Sequence, residues 1–284
     1  MFVDFEEFGV VDHPVDDFLH TQGFDLVFLG YGAIKGSVMK IPGEDTLKNI
    51  YQATEYLVRG NLPKELLPEY WQDSDDPRPY SAGKVTIVVG GGDTAMDCVR
   101  TARRLNPEQK TYCVYRRSEA EMPGRYEERV NAREEGVLFE WLTAPVKFIG
   151  DEEGKVVAAE CIRMRLGAPD AKGRRSPVPI EGSNFVLPCD TVALAIGYNP
   201  ETEIPETTEN LKTTKWGSVL VASEETGRTS REDIWAAGDN VRGADLVVTA
   251  VAAARKAAED MHAKLMAIRE RRLDKAAAAE VTAG

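Results

Sequence analysis

A chain of 284 residues with 43% hydrophobic and 29% charged residues has the material for one large or two ordinary globular domains. Its net charge of -12 is spread along the chain and argues against nucleic acid or an anionic membrane surface as the main partner. No apolar run approaches the ~18 residues of a membrane span, and Met1–Glu7 is acidic where a signal peptide would be basic and then apolar, so a cytoplasmic protein is expected.

In chain order, residues 1–23 are acidic and weakly patterned. Phe24–Gly32 reads as a buried strand running into a glycine turn. Lys35–Glu44 reads as a loop, and Thr46–Gly60 has helical spacing through Ile50, Ala53, Leu57 and Val58. Asn61–Gly83, with four prolines and an Asp-Ser-Asp-Asp run, reads as an exposed excursion. Next comes Lys84-Val85-Thr86-Ile87-Val88-Val89, a β-branched run leading straight into Gly90-Gly91-Gly92-Asp93-Thr94. A helix through Ala95, Cys98, Val99, Ala102 and Leu105 follows. Strand, tight turn and helix match G-x-G-x-x-A at Gly90, Gly92 and Ala95, a form of the dinucleotide fingerprint. Gly90 would make the turn, Gly92 would let the backbone approach a pyrophosphate, and the helix N–H groups would face the phosphates.

Thr111–Tyr115 reads as the second strand, and it ends in Arg116-Arg117. An NAD site places an acidic residue there for the ribose 2′-hydroxyl. Two guanidinium groups instead suit a 2′-phosphate, which favours NADP(H) over NAD(H). The competing account is a solvated basic pair partly neutralised by Glu119 and Glu121.

Glu127–Glu135 reads as a charged helix. Val137–Trp141, Val146–Ile149 and Lys155–Leu166 read as strands of a β-meander covering one side of the nucleotide domain, with Gly167–Pro179 rich in turns. Asp190–Gly197 is another buried strand ending in glycine, Asp233–Asp239 is a short strand ending in Gly-Asp, and Asp245–Ala279 is one long Ala-rich helix. The four cysteines (Cys98, Cys113, Cys161, Cys189) and three histidines are scattered. The cysteines form no Cys-x-x-Cys and no iron–sulfur ligand set, and they read as packed apolar thiols; no metal site is expected.

Four motifs now stand in order: Val88–Asp97; Tyr115-Arg116-Arg117-Ser118-Glu119-Ala120-Glu121-Met122-Pro123-Gly124; Ala195–Pro200; and Ala236–Gly243. Across roughly residues 20–265 the chain resembles the glutamate synthase small (β) subunit group. That group includes the flavin/NADPH part of dihydropyrimidine dehydrogenase and the large subunit of NADH-dependent ferredoxin:NADP oxidoreductase. The resemblance implies an α/β fold of two Rossmann-like, glutathione-reductase-type domains, with an NADP(H) domain inserted in an FAD domain. The division expected is 1–82 (first FAD segment), 83–196 (NADP(H) domain) and 197–284 (last FAD segment).

The resemblance assigns NADP(H) to Gly90, Gly91, Gly92, Asp93, Thr94, Arg116 and Arg117. It assigns FAD to Gly197, Gly238 and Asp239, and to the helix start at Leu246, Val247 and Val248, whose N–H groups would face the flavin O2. It names no catalytic acid, base or nucleophile. The family's first FAD glycine motif and its upstream iron–sulfur cysteines are absent from this chain. It is therefore a fragment, a split subunit whose partner supplies the rest of the FAD site, or a member binding NADP(H) alone. Two functions follow. One is an oxidoreductase module passing hydride between NADPH and FAD, and electrons onward to iron–sulfur centres of a redox partner subunit. The other is a non-catalytic nucleotide-binding or assembly subunit.

Overall fold

The computed structural model describes residues 14–72, 84–169, 173 and 175–283. The first thirteen residues, the Asp-Ser-Asp-Asp run at 73–76 and part of the turn-rich 167–179 stretch lie outside the described residues. The chain opens with α1 (Pro14–His20), β1 (Val27–Leu29), β2 (Lys35–Gly36), β3 (Ile50–Gln52), α2 (Ala53–Asn61) and α3 (Glu69–Gln72). It continues through β4 (Val85–Gly90), α4 (Asp93–Leu105), β5 (Lys110–Tyr115), α5 (Tyr126–Glu134) and β6 (Leu138–Trp141). Next are β7 (Thr143–Gly150), β8 (Val156–Pro169), β9 (Arg175–Pro179), β10 (Phe185–Pro188) and β11 (Thr191–Ala195). Last come β12 (Tyr198–Asn199), α6 (Glu203–Glu206), β13 (Ile234–Ala236), α7 (Asp239–Arg242) and α8 (Val247–Ala283).

These elements form two compact units. One is Gly36–Gly197; the other holds the described residues through Lys35 and those from Tyr198 onward, so the first is inserted in the chain of the second. The described residues 36–72, expected with the first segment, go with the inserted unit, in which β3 is a strand of the sheet.

The inserted unit is Rossmann-like. Its parallel sheet has the order β3-β11-β4-β5-β6. Side chains alternate with the pleat. Val88, Cys113, Ala193 and Ala195 face a core built with α2, α4 and α5, and Ile87, Val89, Val114, Val192 and Leu194 face Phe148, Val156, Ala159 and Leu187 of the β7-β8-β10 layer. Both faces are covered, which is why β4 and β11 read as continuous apolar runs. The amphipathic α4 buries Ala95, Met96, Cys98, Val99 and Ala102, but Leu105, in its last turn, is 47% exposed. Two buried polar side chains pair with each other: Thr86 Oγ1 donates to Gln109 Oε1 (3.0 Å), and Gln109 Nε2 donates to Ala102 O (2.6 Å). At the ends of the insert, Ser37 N–H donates to Gly197 O (2.9 Å).

Three local expectations change. Thr46–Asn49 is not helical: Asn49 takes φ 65°, and Ile50–Gln52 pair in parallel with Val192–Leu194. The apolar spacing there satisfies a helix and a short strand equally, and the sheet edge decides. Residues 175–179 form a strand against the far half of β8 rather than turns. Pro14–His20, within the stretch read as unpatterned, is a helix.

In the other unit β1 pairs in parallel with β13. The strand predicted over 24–32 shortens to three residues, with Phe24 and Phe28 exposed, because among the described residues β1 pairs only with β13 and turns only Leu29 fully inward. Ile234 and Ala236 join Val15, Leu29, Leu211 and Val219 in one core, while Trp235 and Ala237 face Ala253, Ala257 and Met261 of α8. Asp260 of α8 accepts from Trp235 Nε1 (2.8 Å) and from Arg228 Nε and Nη2 (2.6 and 3.0 Å). Arg231, with a side chain 14% exposed, joins Asp16 of α1, Asp233 and the Glu209 carbonyl.

Candidate nucleotide site

The glycine loop sits where β4 ends. Gly90 has φ 147°, and a Cβ there would lie 2.2 Å from Ala195 O of the adjacent β11. A Cβ on Gly91 would lie 2.6 Å from the Tyr115 ring. Both glycines are required by the protein's own packing. Gly92 is different. It is the N-cap of α4, it has ordinary extended φ and ψ of -87° and -179°, and a Cβ added to it meets nothing within 4 Å. No side chain caps the helix. Ala95 and Met96 N–H groups donate back to Gly92 O, which leaves the Asp93 and Thr94 N–H groups as the orphan donors of the first turn. Thr94 is half-buried in that first turn.

Arg116 and Arg117 follow the end of β5, the strand beside β4. Arg116 is exposed and Arg117 half-buried, and neither makes an ion pair among the described residues. Arg117 Nε is buried without a hydrogen-bond partner. The carboxylates that could neutralise the pair are engaged elsewhere: Glu119 pairs with Arg133 (2.5 Å), and Glu121 accepts from the Ser118 hydroxyl. Neither glutamate forms an ion pair with Arg116 or Arg117 among the described residues. The predicted residues Gly90–Thr94, Arg116 and Arg117 gather at the C-terminal ends of two neighbouring parallel strands, where open α/β sheets bind ligands.

The remaining predicted residues are placed as follows. Gly197, with φ 104° and open space at its Cβ position, closes the inserted unit after β11. In the other unit Gly238 (φ 87°) is the buried N-cap of the four-residue α7, and Asp239 is its first residue. Leu246, Val247 and Val248, at the start of α8, are 61%, 80% and 68% exposed. The Asp245 carboxyl just before them is held below its ordinary range by the Leu246 backbone N–H and the Thr249 hydroxyl.

Residues 118–125, which lie over the glycine loop, carried no role in the sequence. The Gly124 N–H donates to Gly91 O (2.9 Å), and the Arg125 N–H donates to Asp93 Oδ1 (2.8 Å). The signal for this segment was present in Met122-Pro123-Gly124, where the buried Met122 anchors it.

The cysteines are inert by placement. All four are free and buried, and desolvation pushes Cys113, Cys161 and Cys189 up to about 12 and Cys98 higher still.

A model of the pyridine nucleotide-disulphide oxidoreductase family matches residues 3–254. The chain belongs to that family. It is a pyridine nucleotide-disulphide oxidoreductase family member with no Cys-x-x-Cys dithiol in its sequence. An Escherichia coli protein named as an oxidoreductase, AegA, is 44% identical over 84% of this chain and 36% of its own length. The glutamate synthase [NADPH] small chain of Azospirillum brasilense is 42% identical over 84% of this chain and 48% of its own. The chain thus spans about half or less of the length of these curated relatives. The family fold is shared with Mycobacterium tuberculosis FprA, solved in complex with NADPH, at a TM-score of 0.70 and 19% identity over 93% of this chain and 68% of that one. No helix among the described residues is long and apolar enough to cross a membrane.

Proposed function

We propose that the chain is the NADP(H)-binding module of a flavin oxidoreductase, of the kind found in glutamate synthase small chains. The observation that carries this is one juxtaposition: an uncapped helix start with open space over Gly92, at the end of the strand neighbouring two arginines that make no ion pair among the described residues. The backbone of Gly91 and Gly92 and the N–H groups of Asp93 and Thr94 would hold the pyrophosphate. Arg116 and Arg117 would hold the 2′-phosphate by charge-assisted, bidentate hydrogen bonds. Gly197, Gly238, Asp239 and the Leu246–Val248 helix start would hold FAD, with the positive end of α8 near the flavin O2. Bound FAD supplies the hydride-accepting N5 and the ability to release electrons one at a time. The protein's own part is placement and electrostatics, so no side chain is assigned as acid, base or nucleophile. Electrons would pass to iron–sulfur centres of a partner domain or subunit, which also completes the FAD site.

The test is a titration of the purified chain, alone and with its partner, by NADPH and by NADH, with the visible spectrum recorded. NADPH should bind more tightly than NADH, and flavin absorbance should bleach with NADPH when the partner is present. Arg116→Ala with Arg117→Ala should weaken NADPH by about 1.5–3 kcal/mol for each charge-assisted hydrogen bond removed, and NADH little. Equal weakening of both nucleotides would remove the 2′-phosphate role. A colourless preparation that leaves NADPH unoxidised in both settings would replace hydride transfer by a nucleotide-binding assembly role.

A further inference from the structure

Asp93 is the odd group in the glycine loop. A carboxylate in the first turn of α4 suits the helix dipole, yet it opposes the approach of a pyrophosphate to the same helix end. The structure gives it another engagement. Asp93 Oδ1 accepts the Arg125 N–H at 2.8 Å, and Oδ2 lies 3.5 Å from Arg125 Nε. Arg125 ends a strap, residues 118–125, that runs from β5 to α5.

The strap is tied at several other points. The Tyr115 hydroxyl donates to Glu121 O (2.9 Å), Arg129 Nη1 of α5 donates to Glu119 O (2.9 Å), and Met122 is buried in the helix-side core. Gly124 N–H donates to Gly91 O (2.9 Å). The approach is so close that a Cβ on Gly124 would stand 3.1 Å from Gly91 O and 3.3 Å from Gly92 C. The strap is therefore a wall facing the loop, and Asp93 fastens its far end.

We propose that the Asp93 side chain is a positioning group: its carboxylate latches the 118–125 strap to the glycine loop through the Arg125 backbone N–H and shapes the nucleotide site, while only the Asp93 backbone N–H faces the nucleotide. This rests on the proposed NADP(H) site. The carboxylate is turned to the strap, so its charge is shared with Arg125 rather than aimed at the phosphates.

The test separates the acceptor, the donor and the charge. Asp93→Ala removes the acceptor, and Asp93→Asn keeps it. Arg125→Ala keeps the backbone donor. Arg125→Pro removes it in a backbone that proline tolerates, since Arg125 has φ -57°. Amide exchange at Glu121, Met122 and Gly124 reads the strap directly, and NADPH titration of the full chain reads the site.

Asp93→Ala and Arg125→Pro should each speed exchange and weaken NADPH by about tenfold, the worth of one charge-assisted hydrogen bond. Asp93→Asn should restore both readouts to within about threefold of wild type, and Arg125→Ala should retain them to the same degree. The double variant Asp93→Ala/Arg125→Pro should be no worse than either single one, because both break the same bond. Additive losses in NADPH affinity would overturn the latch in favour of direct contact by Asp93. Unchanged exchange in Asp93→Ala would also overturn it. If the wild-type chain binds neither NADPH nor NADH, the NADP(H) site falls and the positioning role with it, while the exchange data separately report whether the strap is held.

Discussion

Ala95 and Met96 at the start of α4 are fully buried, whereas Leu246, Val247 and Val248 at the start of α8 stand 61%, 80% and 68% exposed. The first helix start is finished by its own unit. Ala195 and Tyr115 press against Gly90 and Gly91, the strap lies over the loop, and of its three glycines Gly92 alone has open space at its Cβ position among the described residues. The second has its backbone start tied by Asp245 and Thr249, but its apolar side chains add nothing to the core of their own unit. The lesson is that glycine and helix start serve two purposes here. In one unit they solve a packing problem and leave open space at Gly92; in the other they present a surface.

The largest effect that could break this comparison is at Gly90. Gly90→Ala places a Cβ against the Ala195 carbonyl at a φ of 147°, and should cost about 3 kcal/mol or more of stability in denaturant unfolding. Gly92→Ala has space and an ordinary backbone, so stability should stay within about 1 kcal/mol of wild type. NADPH affinity, by contrast, should drop by about tenfold or more, because the methyl group occupies the gap. Similar stability losses in both variants would mean that the two glycines do the same job.

Next is the anchor of α8. Asp260→Ala leaves Arg228 and the buried Trp235 Nε1 without their acceptor, and should cost about 2 kcal/mol, read by Trp fluorescence during unfolding. The Arg228 hydrogen bond, against a modest upward pull from burial and with help from Trp235, holds the Asp260 carboxyl below its ordinary 3.8. The folded value is the lower one, so this stabilisation is complete above about pH 4 and is lost as pH falls through the folded value. The gap between wild type and Asp260→Ala should therefore be constant from pH 8 to 5 and close under acid.

The smallest effect sharpens the contrast from the other side. Val247→Ser with Val248→Ser should change stability by less than about 0.5 kcal/mol, because neither side chain is packed. A larger loss in thermal unfolding would show that the start of α8 supports its own unit after all.

Much of the inserted unit was legible in the sequence because its strands are buried on both faces, so Val85–Gly90 and Thr191–Ala195 stand out as unbroken apolar runs. The glycine spacing and the Arg116-Arg117 pair were legible because each matches what a dinucleotide site would require. The edges were not. β3 is three residues at a sheet margin, and it borrows its identity from β11. β1 has one strand partner among the described residues and one fully buried residue, too little pattern to mark its ends. The strap was visible as a string but not as a wall, because its partners are backbone atoms of Gly91 and a carboxylate more than thirty residues away in sequence, and spacing carries no trace of a tertiary hydrogen bond.

The insertion itself has a kinetic consequence. β1 and β13 pair directly although they are about two hundred residues apart, a closure whose entropic cost rises with the logarithm of the loop. The insert brings its own ends together through the Ser37–Gly197 hydrogen bond. Once it has folded, the loop that β1 and β13 must close shrinks to roughly fifty residues, easing closure by about 1 kcal/mol. More important, the slow search for a distant partner becomes a local one. A folded insert would thus act as a clamp for the strand pair of the unit that carries it, and a lesion such as Gly90→Ala should slow formation of the β1–β13 pair in refolding kinetics.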